Sequence, residues 1–313
     1  MDDVATCRIC GSAARPLRRG TARYLRCRRC DALTRDISAE GYAALDVSYD
    51  PDPLLAQRSR QELRSLLRVD DKRAVLQRAT PRAGRKPRRF IDIGCGQGGY
   101  LCAAQELGYE VVGVEPSPGH SEVAREVFGF AVETGYFTPG MFAKGSFDLA
   151  MLSHVIEHIY DPDAFLAGAL ELLAPGGTLV VVTPNAASTV ALASGPWWTM
   201  LKPVDHVSML APRTVRHLAS LTGHTVRVRT SEFPSEPATA TLAAARDAVK
   251  ATLRRDAAHG SASAEAVTPG ADLRRRTRQR ALRAALALAA APVHLANVAL
   301  GRQATLVFEV TRR

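Results

Sequence analysis

Residues 90–115 read FIDIGCGQGGYLCAAQELGYEVVGVE, and the rest of the chain is arranged around them. Phe90 to Ile93 is a short β-rich apolar run, too short for a helix. Gly94, Gly96, Gly98 and Gly99 follow directly. Tyr100 to Leu107 then carries apolar residues at helical spacing, and Gly108 closes it. Val111 to Val114 is a second apolar run, ended by Glu115. The order is strand, glycine turn, helix, strand, acid. A glycine turn lets a ligand rest on backbone N–H groups at a helix N-terminus. An acid at the tip of the next strand can accept both hydroxyls of a ribose. The stretch therefore points to a cofactor that contains adenosine. Gly94, Gly96 and Gly99 satisfy G-x-G-x-x-G, so a dinucleotide fits the letters. Asp92 tilts the reading the other way. A carboxylate beside the turn suits a ligand with an ammonium group and not a pyrophosphate.

Downstream, strands alternate with helices. Ser121 to Phe128 reads as a helix and Phe130 to Glu133 as a short strand. Leu149 to Leu152 is a buried strand and Pro162 to Leu173 a helix. A turn at Ala174 to Gly177 leads into a strand from Thr178 to Thr183. Pro212 to Leu221 is a helix, and Thr225 to Thr230 and Ala304 to Val310 are the last strands. This alternation implies a parallel, doubly wound sheet. Between the last two strands, residues 237–301 are too many for a plain loop. They read as a helical insertion rich in Ala and Arg. One reading packs it on the domain. Others are a lid, a partner helix, or a membrane-surface contact through 272–300, where Arg274, Arg275 and Arg276 precede an apolar half.

Upstream, Cys7-x2-Cys10 and Cys27-x2-Cys30 are separated by 16 residues, the spacing of a zinc ribbon. Each knuckle aims two thiolates at one tetrahedral ion, so Cys7, Cys10, Cys27 and Cys30 are expected to hold a structural zinc with no open position. Cys102 and the Cys95 side chain read as small packing groups. Leu54 to Leu67 has an amphipathic helical pattern that suits a cover for the cofactor mouth. Residues 81–89 read as a basic linker. These readings divide the chain into a ribbon at 1–36, a helical connector or cap at 37–88, and a cofactor-binding domain at 89–313.

The chain has 313 residues and a formal charge of +10, which permits acidic partners without requiring them. Few aromatics interleave with the arginines, which weighs against nucleic acid. No stretch has the length and purity of a membrane span. The acidic start and the early Cys7 do not read as a signal peptide, so a cytoplasmic location is expected. The oligomeric state has no signature in the sequence.

Three further phrases carry a family resemblance: FDLAMLSHVIEHIYDPDAFL at 147–166, LAPGGTLVVVTPN at 173–185 and PVDHVSMLAPRTVRHLASLTGH at 203–224. With the central unit they resemble class I S-adenosylmethionine (SAM) methyltransferases, the small-molecule enzymes of the ubiquinone-biosynthesis type. The four-cysteine ribbon also resembles members that modify sugars, glycans and secondary metabolites. The resemblance implies an α/β, Rossmann-like, doubly wound sheet of seven strands with the last one antiparallel. It implies that Asp92 and the backbone of Gly94, Cys95, Gly96 and Gly98 hold the methionine end of SAM. Glu115 would bind the ribose, and Pro116, Tyr136 and Phe137 would lie around the adenine. Ser153 and His154 would lie beside the transferring methyl group.

Methyl transfer is an in-line displacement from an activated leaving group. The protein must align the nucleophile and take its proton. His154, Glu157, His158 and His206 are the candidates. If residues 154–158 are helical, His154 and His158 share one face. Some relatives with E-x-x-E-H and a later His bind a divalent metal, and Glu157, His158 and His206 match all of that set but its first Glu. His154 stands where the first Glu would be, which suits magnesium less well. The readings carried forward are O-methylation of a small molecule, with an RNA methyltransferase and a non-catalytic SAM-binding scaffold as alternatives.

Overall fold

The computed structural model describes residues 5–45, 58–79, 88–202, 204–231, 297, 300 and 302–313. Three short strands open it: β1 (Ala14–Arg19), β2 (Ala22–Cys27) and β3 (Leu33–Arg35). Helices α1 (Ala39–Ala43), α2 (Arg60–Leu66) and α3 (Val69–Ala79) follow. A capping box starts α2, with Ser59 and Glu62 each satisfying the other's backbone N–H. The helix expected over 54–67 is present from Arg60, and 54–57 lie outside the described residues. Arg68, at φ 53, turns the chain into α3, which the sequence reading did not anticipate. Its apolar stripe of Val69, Leu76 and Ala79 is buried but interrupted by six polar or charged neighbours and one exposed alanine, so the pattern is faint.

The alternating part runs β4 (Arg88–Ile93), α4 (Gly99–Glu106), β5 (Tyr109–Glu115), α5 (Pro118–Phe128) and β6 (Ala131–Thr134). Next come β7 (Phe147–Ser153), α6 (Pro162–Glu171) and β8 (Leu173–Pro184). The chain continues through α7 (Thr189–Ser194), β9 (Ser208–Met209), α8 (Pro212–Thr222), β10 (Thr225–Ser231) and β11 (Thr305–Thr311). The turn expected at Ala174 to Gly177 is a bulge inside β8: the β7 register shifts there, between the pairs Phe147↔Leu173 and Leu149↔Thr178.

Seven strands form one sheet in the order β10-β11-β8-β7-β4-β5-β6. Pairs among β4 to β8 are parallel, and β11 is antiparallel to both its neighbours. This is the α/β, doubly wound, seven-stranded sheet with an antiparallel last strand. Phe90, Ile91 and Leu149 to Leu152 are fully buried, as strands covered on both faces must be. Strand order reverses at β4, with β5 on one side and β7 on the other. That switch point opens a crevice at the carboxyl ends of the strands.

The ribbon is joined to this body by strand pairing. Strands β1, β2, β3 and β9 form a second sheet, with Leu33 opposite Met209 and Thr34 opposite Ser208. Tyr24, Leu33, Trp198, Leu201 and Met209 pack into one buried cluster there. Trp198 is thus packing, while Trp197 is 80% exposed. Of the expected 237–301 insertion only Asn297 and Leu300 are described, so its helices and the 272–300 surface lie outside the described residues. Among the described residues no helix is long and apolar enough to cross a membrane.

Candidate active site

β4 runs into the glycine turn, and Gly94 sits at φ 78. A Cβ there would come within 2.4 Å of the Val155 Cγ2, so the glycine lets the loop after β7 lie directly on the turn. Gly94 and Cys95 both donate their N–H groups to the Val114 carbonyl. The buried Glu115 carboxylate accepts from Gly96 N at 2.7 Å and Ser117 N at 2.9 Å. Gly98 starts α4 at φ 87 with no side-chain cap.

Asp92 is 1% exposed, and its Oδ1 has no hydrogen-bond partner among the described residues. Burial pushes its pKa up to about 8; Lys72 of α3 opposes the rise and Glu115 adds to it. An unpaired buried carboxyl is costly, and an ammonium group reaching it would supply the missing partner. Lys72 itself lies over Gly99 and donates to the Leu67 carbonyl. The residues therefore fit a ligand that carries both an ammonium group and a ribose. The raised pKa means that ligand-free stability is fully present below the ordinary carboxylate range and is lost as pH rises toward about 8. The melting temperature is expected to fall between about pH 4 and 8, and Asp92→Asn should flatten that fall. A Tm series against pH for both proteins checks this; identical slopes would disprove it.

A cavity of about 640 Å³ opens at the crevice. Gly94, Glu115, Pro116, Gly135, Tyr136 and Phe137 line one part, and Tyr42, His154, His158, Tyr160 and Asp161 another. Asp92, Cys95, Gly96, Gly98 and Ser153 are not in that lining.

Residues 154–158 do not form the helical face on which His154 and His158 were to sit together. His154 is left-handed at φ 56, and only Ile156–His158 makes a 3-10 turn. His154 Nδ1 lies 3.0 Å from Glu157 Oε1, and Thr183 Oγ1 donates to Glu157 Oε2 at 2.9 Å. Glu157 is fully buried. Burial opposes its charge, but the His154 bond and the fields of His154, His158 and His206 hold its pKa below the usual carboxylate range. His206 Nδ1 is 2.6 Å from the Met200 carbonyl, so that nitrogen donates and Nε2 is left as the acceptor. Burial lowers the His206 pKa, which keeps the ring neutral near pH 7. The His158 and His206 rings meet edge-on at 4.7 Å, and His158 Nδ1 is 3.7 Å from Asp205 Oδ2. One ligand atom each of Glu157, His158 and His206 lies within 4.8 Å of the others. Only His154 and His158 of these four reach the cavity, with Glu157 and His206 behind them.

The four ribbon sulfurs also lie within 4.8 Å of one another, with Cys7 to Cys30 at 3.7 Å and Cys10 to Cys27 at 3.5 Å. Thiolates about 2.3 Å from a tetrahedral zinc would be about 3.8 Å apart, so the set fits that ion. Arg29 N and Cys30 N point at Cys27 Sγ, as donors to a thiolate would. One zinc per chain is expected, lost in Cys27→Ser, and metal analysis of both proteins decides it. A metal-free wild type with an ordered ribbon would count against the site.

Arg8, between Cys7 and Cys10, was not singled out from sequence. Its Nε donates to the Tyr160 carbonyl at 2.9 Å, and its two other nitrogens to the Arg35 and Val207 carbonyls and to Ser208 Oγ, each at 3.0 Å. The guanidinium also lies 4.1 Å over the Tyr160 ring. Tyr42 Oη donates to the His158 carbonyl at 3.0 Å and Tyr24 Oη to the His206 carbonyl at 3.5 Å. Ribbon and connector thus hold the backbone on which both histidines sit. The C-x-x-C spacing that marks the cysteine pairs says nothing about the residue between them.

Comparison with known proteins bears on this arrangement. Residues 60–227 match the family model described as a methyltransferase domain. A ubiquinone biosynthesis O-methyltransferase of Cereibacter sphaeroides is 36% identical over 102 residues, covering 31% of this chain and 41% of that protein. One from Rhodopseudomonas palustris is 37% identical over 105 residues, covering 31% and 40%. The chain thus spans about two fifths of the length of the curated relatives it matches. The crystal structure of a SAM-dependent methyltransferase from Thermotoga maritima covers 80% of this chain and 92% of its own, with 18% identity and a TM-score of 0.47.

Proposed function

The chain belongs to the methyltransferase-domain family, and from that premise we propose that it transfers a methyl group from SAM to an oxygen of a small-molecule acceptor, such as a sugar, a glycan precursor or a natural-product intermediate. The observation that carries the cofactor is the orphaned, buried Asp92 oxygen beside the glycine turn. Bound there, SAM supplies an electrophilic methyl on a sulfonium. Asp92 would hold its ammonium group, Glu115 its ribose, and Tyr136 and Phe137 its adenine. The apolar walls of the cavity, among them Ile93, Phe137, Val155, Ile159 and Phe165, suit a small acceptor better than a polynucleotide.

His158 reaches the cavity and takes the acceptor proton. His206, neutral and held by the Met200 carbonyl, fixes the His158 ring from behind. Glu157 fixes His154. Both Glu157 oxygens are already engaged, by His154 and Thr183. A divalent ion at Glu157, His158 and His206 would have to share or break one of those bonds, which favours direct proton transfer.

Calorimetry with SAM and with NAD tests the cofactor; tight NAD binding without SAM binding would overturn it. Glu115→Ala removes charged hydrogen bonds worth about 1.5–3 kcal/mol each, so SAM affinity should fall about tenfold or more. Release of S-adenosylhomocysteine with a panel of hydroxylated acceptors separates an enzyme from a SAM-binding scaffold.

A further inference from the structure

A second cleft, of about 410 Å³, lies where the ribbon meets the far side of the sheet. Arg26 of β2, Arg213 and Arg216 of α8, Arg229 of β10, and Arg302 all line it. The lining contains one acid, Asp31, which is 3.5 Å from Arg213. Arg229 is paired with Glu309 at 2.8 Å, and Arg26 donates to the Ala186 carbonyl at 3.1 Å. Arg216 and Arg302 have no acidic partner among the described residues. Five guanidinium groups therefore face two carboxylates.

Charges of one sign gathered in one cleft repel, and an anion relieves them. Burial pulls the Arg26 pKa below its ordinary value, and the nearby Asp31 opposes the fall. The five arginines come from four separate stretches: β2, the start of α8, the end of β10 and the approach to β11. The start of α8 adds the positive end of an 11-residue helix. Guanidinium forks match phosphate oxygens two at a time.

The cleft also shares an edge of the sheet with the main cavity. β10 and β8 both run antiparallel to β11, so Val228 to Thr230 lie toward the carboxyl ends of the strands. Two strands separate β10 from β7, a distance of roughly 14 Å.

We propose that this cleft binds the phosphate or diphosphate group of the acceptor, whose other end reaches His158. The second half of that statement rests on the methyl-transfer reading above; the anion site does not. The test is calorimetry of inorganic pyrophosphate against the wild-type chain and an Arg216→Ala/Arg302→Ala double variant. Saturable binding at one per chain, weakened about tenfold or more in the variant and by added salt, is the expected result. An unchanged variant melting temperature confirms that the loss is local. No saturable binding, or equal affinity in both proteins, overturns the site. Binding of an RNA oligonucleotide without pyrophosphate binding also overturns it. SAM is titrated separately. SAM binding without pyrophosphate binding removes the cleft alone, and pyrophosphate binding without SAM binding removes its link to methyl transfer.

Discussion

Replacing His158 by alanine is expected to lower turnover about a hundredfold or more while leaving SAM affinity within a few-fold, the usual scale for removing a positioned base. The expectation comes from geometry. His158 lines the cavity, whereas His206 stands behind it with its Nδ1 committed to the Met200 carbonyl. His206→Ala should therefore cost less than His158→Ala, through a loosened His158 ring. Steady-state rates and SAM calorimetry on both variants decide the matter. Near-normal rates in both would end the acid–base assignment. Chelation of the wild type, followed by Mg²⁺, Mn²⁺ or Zn²⁺, separates the two routes: a rate restored only by metal would replace direct proton transfer with metal assistance.

Arg8→Ala is expected to lower kcat roughly ten- to a hundredfold with SAM binding retained. Arg8 does not itself line the cavity; it bonds and stacks on Tyr160, which does, and so acts as a positioning residue. Without it, the Tyr160, Arg35 and Val207 carbonyls and the Ser208 hydroxyl lose a donor. A buried group left unpaired costs about 1–3 kcal/mol, so the loops bearing His158 and His206 should loosen. A shift of about 1 Å at the reacting groups costs about a hundredfold in rate. Arg8→Lys should recover little, because an ammonium cannot reach acceptors on three segments at once. Zinc content shows whether the ribbon itself survives. Retained zinc with an unchanged kcat would disprove the role, and a fall in kcat with an unchanged SAM Kd is what mere destabilisation would not produce.

The sheet was legible because its signals are local. Ile91, Asp92, the glycines and Glu115 fall within one strand–turn–helix–strand unit, β7 carries a short unbroken apolar run, and β8, β10 and β11 are rich in β-branched residues. The clustering of the four cysteines was legible for the same reason, since two C-x-x-C pairs carry their own geometry. What stayed hidden is long-range. No pattern near Arg8 announces that it bonds carbonyls beyond both β7 and β8. Tyr24 and Tyr42 look like ordinary aromatic residues until their hydroxyls meet the His206 and His158 carbonyls. The left-handed His154 also escaped reading, as did the seat of Val155 against Gly94, a contact between two distant segments.

The pairing of β3 with β9 has a consequence for how the chain assembles. Arg8 and Ser208 are 200 residues apart, and so the ribbon leaves the ribosome long before its docking strand exists. At about 5–20 residues per second the interval is roughly 10–40 s. During it Tyr24 and Leu33, fully buried in the finished protein, face water. A metal captured early would hold the nascent hairpin in its docking shape through that wait. Loop closure over such a separation is slow, and an edge left open that long invites pairing with another chain. Metal supply during synthesis would then govern the yield of correctly joined protein, independently of any effect on the mature enzyme.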